Sequence, residues 1–294
     1  MTKKISFPLA ILTVSILMLL SCSKEGEDTA PLDKEAYPVE IAVSNKDDGQ
    51  TASETALPLN VAINQLTFIA YSEDGNEFMR RTQFSTSSDF GKITLNLPKR
   101  FFTIIAVGSK SLFGINQYFQ TNTTNPILLP FKSANMQYWQ DNEFMSHKVY
   151  KTADTFFGTL ALPITNNQSF QLPLKRIVGK LEVTVEDVAQ YKVDVNNEAI
   201  GYYFQSRTSF GSTDDDMGFE VDNSKGPISL YILRTDKPLN IEIIGGGVRK
   251  ALQVPVFKNQ RTVVSGKLLE STGALGLNVS VDQAWSTDTT LVKF

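Results

Sequence analysis

Leu181-Glu182-Val183-Thr184-Val185-Glu186 decides the fold. Apolar residues at 181, 183 and 185 alternate with polar ones at 182, 184 and 186, the period of a strand with one face buried and the other wet. The same period recurs on both sides of it. Val39, Ile41 and Val43 alternate with Glu40, Ala42 and Ser44, and Leu66, Phe68 and Ala70 with Thr67, Ile69 and Tyr71. Ile93, Leu95 and Leu97 enclose Thr94 and Asn96; Ile228, Leu230 and Ile232 enclose Ser229 and Tyr231; Leu275, Leu277, Val279 and Val281 enclose Gly276, Asn278 and Ser280. Phe102-Thr103-Ile104-Ile105-Ala106-Val107-Gly108 is apolar at nearly every position and reads as a more fully buried strand.

Turn residues punctuate these runs: Asn45-Lys46-Asp47-Asp48-Gly49, Glu73-Asp74-Gly75-Asn76 and Gly245-Gly246-Gly247. No long stretch carries a helical period, and one short helix is expected near residues 133–139. Many short strands with almost no helix predict an all-β chain of antiparallel sandwiches. The expected boundary lies at Asn166-Asn167-Gln168. It divides the body into an N-terminal sandwich, 38–166, and a C-terminal one, 167–294, each long enough for about seven strands.

Ahead of the body, Lys3 and Lys4 precede an uncharged, mostly apolar run from Ile5 to Ser21 that ends on the only cysteine, Cys22. A charged start, an apolar stretch and small or aliphatic residues before a cut describe a signal peptide, 1–21. Leu19-Leu20-Ser21-Cys22 resembles a bacterial lipobox, which implies cleavage before Cys22 and acylation there. A membrane-spanning helix is the competing reading, diluted by Pro8, Thr13 and Ser15. Each buried methylene contributes about 0.8 kcal/mol, so two or more chains hold a protein on a membrane. Residues 22–37 are acidic and polar, too poor in apolar surface to fold, and read as a tether. Glu25, Glu27 and Asp28 are similar to a lipoprotein surface-export signal, and Asp28-Thr29-Ala30 resembles a short O-glycosylation motif with Thr29 as acceptor. The expected location is the outer membrane, facing the cell surface.

Composition excludes some functions. Removing 1–21 takes two lysines and no acid, so 28 basic and 31 acidic residues become 26 and 31, a net charge of −5. No basic face is available to replace phosphate counterions, so no nucleic-acid partner is expected. With one cysteine and one histidine, His147, a metal centre or a histidine-centred triad has little to draw on. Asp214-Asp215-Asp216 reads as a solvated acidic turn, because Gly218 falls one residue early for a calcium loop. Neither an enzyme nor a cofactor is expected.

Two stretches carry a family resemblance. Asp154-Thr155-Phe156-Phe157-Gly158, followed by Leu174-Lys175-Arg176-Ile177-Val178-Gly179-Lys180-Leu181-Glu182-Val183, resembles the fimbrillin superfamily of type V pili. Members carry a similar Asp-aromatic-Gly stretch and then an L-x-R-x-V-A-K strand; here Gly179 replaces the usual Ala. The resemblance implies two transthyretin-like sandwich domains and a role in pilus assembly with other fimbrial subunits. In the shaft subunits of that family an arginine-specific protease removes the first strand, and a neighbour's strand fills the groove. The first arginine here is Arg80, beyond the Val39, Ile41 and Val43 strand, so those three residues are expected to fill their own groove. The expected role is therefore a lipid-held anchor or minor fimbrial subunit serving adhesion, with a host surface ligand as a further partner. The alternative is an outer-surface carbohydrate-binding lipoprotein using Tyr138-Trp139, Tyr202-Tyr203 and Trp285.

Overall fold

The computed structural model describes residues 35–44, 58–116, 128–138, 152–211, 219–223, 226–269 and 277–282. In chain order its strands are β1 (Ala36–Ser44), β2 (Gln65–Ser72), β3 (Glu77–Phe84), β4 (Lys92–Pro98), β5 (Phe101–Ser109), β6 (Phe113–Ile115), β7 (Asn135–Tyr138), β8 (Thr155–Pro163) and β9 (Gln168–Pro173). A single helical turn, α1 (Leu59–Ala62), precedes β2. The chain continues through β10 (Lys175–Arg176), β11 (Gly179–Val185), β12 (Tyr191–Asn196), β13 (Gly201–Tyr203), β14 (Ser209–Phe210) and β15 (Phe219–Asn223). It closes with β16 (Ile228–Ile232), β17 (Leu239–Gly245), β18 (Val248–Val254), β19 (Arg261–Gly266) and β20 (Leu277–Asp282). The all-β reading holds.

The two halves repeat one topology. In the first, β4-β1-β9 faces β3-β2-β5-β8; in the second, β16-β11-β19 faces β15-β12-β17-β18. The leading strand of each half is central in its sheet, antiparallel to one neighbour (β4 or β16) and parallel to the other (β9 or β19). β10 extends the first sandwich beside β8, and β20 extends the second beside β19. This repeat moves the expected boundary. β9 lies beyond residue 166 yet pairs with β1, so the change of core falls between Pro173 and Gly179.

Alternation produces the cores directly. Val39 and Ile41 from β1, Leu95 and Leu97 from β4 and Leu172 from β9 meet Leu66, Phe68, Phe102 and Ile104. Leu181 and Val183 from β11 and Ile228 and Ile232 from β16 meet Val193, Val195, Ile241 and Ile243 in the second sandwich. Gly245 pairs with Val248, leaving Gly246 (φ 55°) and Gly247 (φ 79°) as a two-residue turn. Positive φ at both central positions suits the twist of adjoining strands, and glycine adopts it without Cβ strain.

The middle sheet is buried on both faces. Opposite Leu66, Phe68, Phe102 and Ile104 point Ile69, Tyr71, Ile105, Val107 and Phe157, and these pack under a third layer of strand order β14-β13-β7-β6. That layer draws β6 and β7 from the first half and β13 and β14 from the second. Residues Ala36–Phe294 accordingly group as one unit. The short helix expected near residues 133–139 is absent over its described part, where β7 runs antiparallel to β6 and β13 and buries Met136 and Tyr138.

Gly179 has a steric reason. A Cβ there would strike Val256 and lie 2.5 Å from the Phe257 carbonyl oxygen. Gly179→Ala is expected to destabilise the chain by about 1–3 kcal/mol through forced displacement of that loop, read as a lower urea midpoint at unchanged slope.

Candidate functional site: the first strand and the seam behind it

The site begins with β1. Nine residues long, it pairs with β4 from Ala36↔Pro98 to Ala42↔Lys92 and with β9 from Val39↔Gln168 to Ser44↔Pro173. Val39 and Ile41 are fully buried and Val43 is half-buried. Glu40 faces outward, where its carboxylate accepts a hydrogen bond from Ser169 Oγ at 3.1 Å. The far end is fixed by Val43 N–H donating to the Gly91 carbonyl (2.8 Å) and by Leu174 N–H donating to the Ser44 carbonyl (2.9 Å). Gln83 shapes the loop that presents Gly91, its amide donating to Lys92 O (2.7 Å) while its Oε1 accepts from Gly91 N–H (3.0 Å). A strand so placed is a lid: without it, β4 and β9 lose their common partner and the apolar floor beneath opens to water.

Arg80 lies inside β3, gripped by Glu77 through Nε–Oε1 (2.8 Å) and Nη2–Oε2 (2.6 Å). A cut there would fall after β2, in the middle of a paired strand, and would not excise β1 alone.

The two stretches that carry the resemblance come together in space. Arg176 donates from Nε to Asp154 Oδ1 (2.6 Å) and from Nη2 to Oδ2 (3.0 Å), while its Nη1 donates to Asn259 Oδ1 (2.8 Å) in the β18–β19 loop. Its guanidinium also sits 4.9 Å from the centroid of the Phe156 ring. β10 pairs Lys175 with Phe157 and Arg176 with Phe156, and a Cβ at Gly158 would lie 2.6 Å from the Pro173 carbonyl oxygen. The motif thus describes a clasp where the chain leaves one sandwich for the other. Planar, bidentate pairing is what arginine supplies and lysine cannot. Sequence spacing hides this pair, since 22 residues separate its members.

A second clasp is nearby. Lys258 Nζ donates to the Arg207 carbonyl (3.0 Å) and lies 5.2 Å from the centre of the Tyr202 ring; burial lowers its pKa from the ordinary lysine value. Tyr138 Oη and Thr155 Oγ1 share a hydrogen bond of 2.6 Å beneath the third layer.

The aromatics considered for glycan contact are mostly interior. Tyr138 and Tyr202 are buried, and Tyr203 is half-buried with its ring stacked on Phe210 at 4.3 Å. Cys22, Thr29, Trp139, His147, residues 214–216 and Trp285 lie outside the described residues. Among the described residues there is no cluster of potential metal ligands and no helix long and apolar enough to cross a membrane.

The fold is thus one of two topologically matched sandwiches joined by a shared layer, with the leading strand paired on both sides. The chain belongs to the family of fimbrillin-A-associated anchor proteins Mfa1 and Mfa2, whose sequence model matches residues 29–261. That is a family of fimbrial structural proteins and not of enzymes; it places the chain at the cell surface in association with other fimbrial subunits. No curated protein sequence matches it. Among solved structures, the fimbrial anchor protein Mfa2 from Porphyromonas gingivalis is similar, with a TM-score of 0.52 and 11% identity over 85% of this chain and 98% of that one. A candidate polysaccharide-binding protein from Bacteroides thetaiotaomicron gives 0.55 and 10% over 84% and 96%. A candidate adhesin from the same species gives 0.51 and 11% over 84% and 95%. At such identities the likeness is one of fold.

Two substitutions test the site. Ile41→Ala is expected to cost about 2–5 kcal/mol by leaving a cavity under the lid, and Asp154→Ala about 3–5 kcal/mol by stranding the Arg176 charge. Both are read as losses of unfolding free energy in urea.

Proposed function

We propose that this chain is a lipid-held anchor or minor subunit of a fimbrium, fixed in the outer membrane through acylated Cys22 and joined to other fimbrillins by strand complementation. The observation that carries this reading is the position of β1. It fills the centre of its own sheet, and the first arginine of the chain lies in β3, so an arginine-specific protease has no site at which to empty the groove and leave β2 in place. β1 also continues the segment that begins at Cys22. Loss of β1 by proteolysis would part the body from its lipid, which a shaft subunit tolerates and a holdfast does not.

Assembly then uses an open sheet edge, whose unpaired N–H and C=O groups accept a strand from another chain. Repeated head to tail among shaft subunits, that contact grows a filament; at an anchor it ends one. Two sandwiches of transthyretin-like character, 22–37 as a tether and glycosylation at Thr29 belong to the same reading. The carbohydrate-binding alternative loses two of its candidates to the core, Tyr138 and Tyr202.

Cys22→Ser is expected to move the protein from the outer-membrane fraction to the soluble one and to release fimbriae into the medium. Fractionation with immunodetection checks the first, electron microscopy of culture supernatants the second. Recovery of the wild-type chain shortened past β1 and repeated along a fibre would overturn the reading.

A further inference from the structure

Glu198 is a buried acid that the fimbrial role does not call on. It lies between β12, the last strand of the second sandwich before the chain leaves it, and β13, the first strand to enter the third layer. It is fully shielded from solvent. One oxygen, Oε1, accepts from the Ala199 N–H at 2.6 Å and from the Arg234 N–H at 2.8 Å. Ala199 begins the excursion toward β13, and Arg234 follows β16 on the way to β17. The side chain therefore ties the root of the β13–β14 hairpin to the body of the second sandwich. Gly211, just past β14, closes in on the same spot: a Cβ there would lie 3.0 Å from Arg234 Nη2 and 3.0 Å from the Glu198 carbonyl oxygen.

The other half of the carboxyl is left over. Glu198 Oε2 is buried with no hydrogen-bond partner, and so is Nε of Arg234, itself 6% exposed. A charged carboxylate with one oxygen unsatisfied is costly in a dry seam, whereas a neutral carboxyl keeps both backbone bonds through Oε1 and sheds the charge. Burial outweighs the groups that favour the ionised form, which are the Arg234 and Ala199 N–H donors first and the Arg234 charge after them. Arg234 is the cation facing it, and it lowers the carboxyl's pKa less than burial raises it. Tyr138, on β7, feels the Glu198 charge and is pushed well up by burial; beyond it the Asp154–Arg176 pair is already committed to itself. The net result is a pKa for Glu198 raised from 4.5 to about 7, with burial as the leading cause.

We propose that Glu198 is a pH-responsive pin at the root of the third layer: neutral, it locks that root to the second sandwich, and ionised, it loosens the joint. The sign follows from linkage. An acid whose pKa is higher folded than unfolded stabilises the fold fully below its unfolded value, and that contribution is lost as pH climbs through the folded value. The window runs from 4.5 to about 7. A surface subunit built this way is stiffest in mildly acidic surroundings and gives at that joint in alkaline ones.

The test compares the full wild-type chain with Glu198→Gln, in which an amide keeps the acceptor oxygen and cannot ionise. From this group alone the unfolding constant of the wild type is expected to rise about tenfold between pH 6 and pH 8. The variant should lack that component, unfolding at the same denaturant concentration as the wild type below pH 4.5 and at a higher one at pH 8. His147 is present in both chains, so the difference between them excludes it. Hydrogen exchange at the Ala199 and Arg234 amides should quicken with pH in the wild type beyond the chemical rate and not in the variant. A variant less stable than the wild type at every pH would show a charge paired with Arg234 and overturn the proposal. So would carbon NMR of the wild-type glutamate carboxyls in which every one titrates below pH 5, a measurement that does not depend on the variant folding.

Discussion

The molecule is organised by a sheet that cannot be left bare. β2 and β5 carry large apolar side chains on both faces, with Phe68 and Ile104 on one and Ile69, Ile105 and Val107 on the other. An ordinary two-layer sandwich covers one face only, and exposing the second would put several large side chains in water at roughly 1.5–3 kcal/mol each. The chain answers with a third layer, and the first half supplies only β6 and β7 for it. The second half completes the cover by sending β13 and β14 out from between β12 and β15. Tandem sandwiches elsewhere can swing on a linker; here the cover for one half is made by the other, and the two behave as one unit.

The same economy governs the junction. Between β9 and β11 there are only a few residues, and they carry Arg176, whose guanidinium reaches Asp154 and Asn259 and lies over Phe156. Gly158 and Gly179 stand where a Cβ would meet the backbone of Pro173 and Phe257. Residue types that look unrelated along the chain are thus required by one close approach, which explains why a short motif can stand for a two-domain fold. It also accounts for Gly179 in place of alanine: the β18–β19 loop comes too near for even a methyl group.

Period-two alternation made most strands legible, because a half-buried strand must write its environment into every second residue. Where β9 belongs was not legible, since Gln168-Ser169-Phe170-Gln171-Leu172 alternates equally well in either sandwich and only its parallel pairing with β1 decides. The third layer was hidden more deeply. Its strands have two to four residues, too few to show a period, and the aromatic, amide-rich stretch around Asn135-Met136-Gln137-Tyr138 predicts a short helix where the chain forms β7. Within the site, Val39 and Ile41 could be picked out by alternation alone. Asp154 with Arg176, and Glu198 with Arg234, could not, for a charge on a strand or loop looks the same in sequence whether it is solvated or closed in by its neighbours.

The place of β1 bears on how a held subunit resists a pull. On the anchored reading, tension enters at the start of β1 and runs along its axis. Had β1 been an edge strand hung across the direction of tension, its hydrogen bonds would open one after another, each exposed to the whole force. As a central strand pulled lengthwise, it must slide past β4 on one side and β9 on the other, so the bonds of both ladders share the strain and Val39 and Ile41 must leave their pockets together. A slip by one residue is no halfway stop, because it would turn Glu40 and Ala42 inward and the apolar pair outward. On the anchored reading, the two ladders that hold β1 between β4 and β9 are therefore the elements that carry force into the first sandwich.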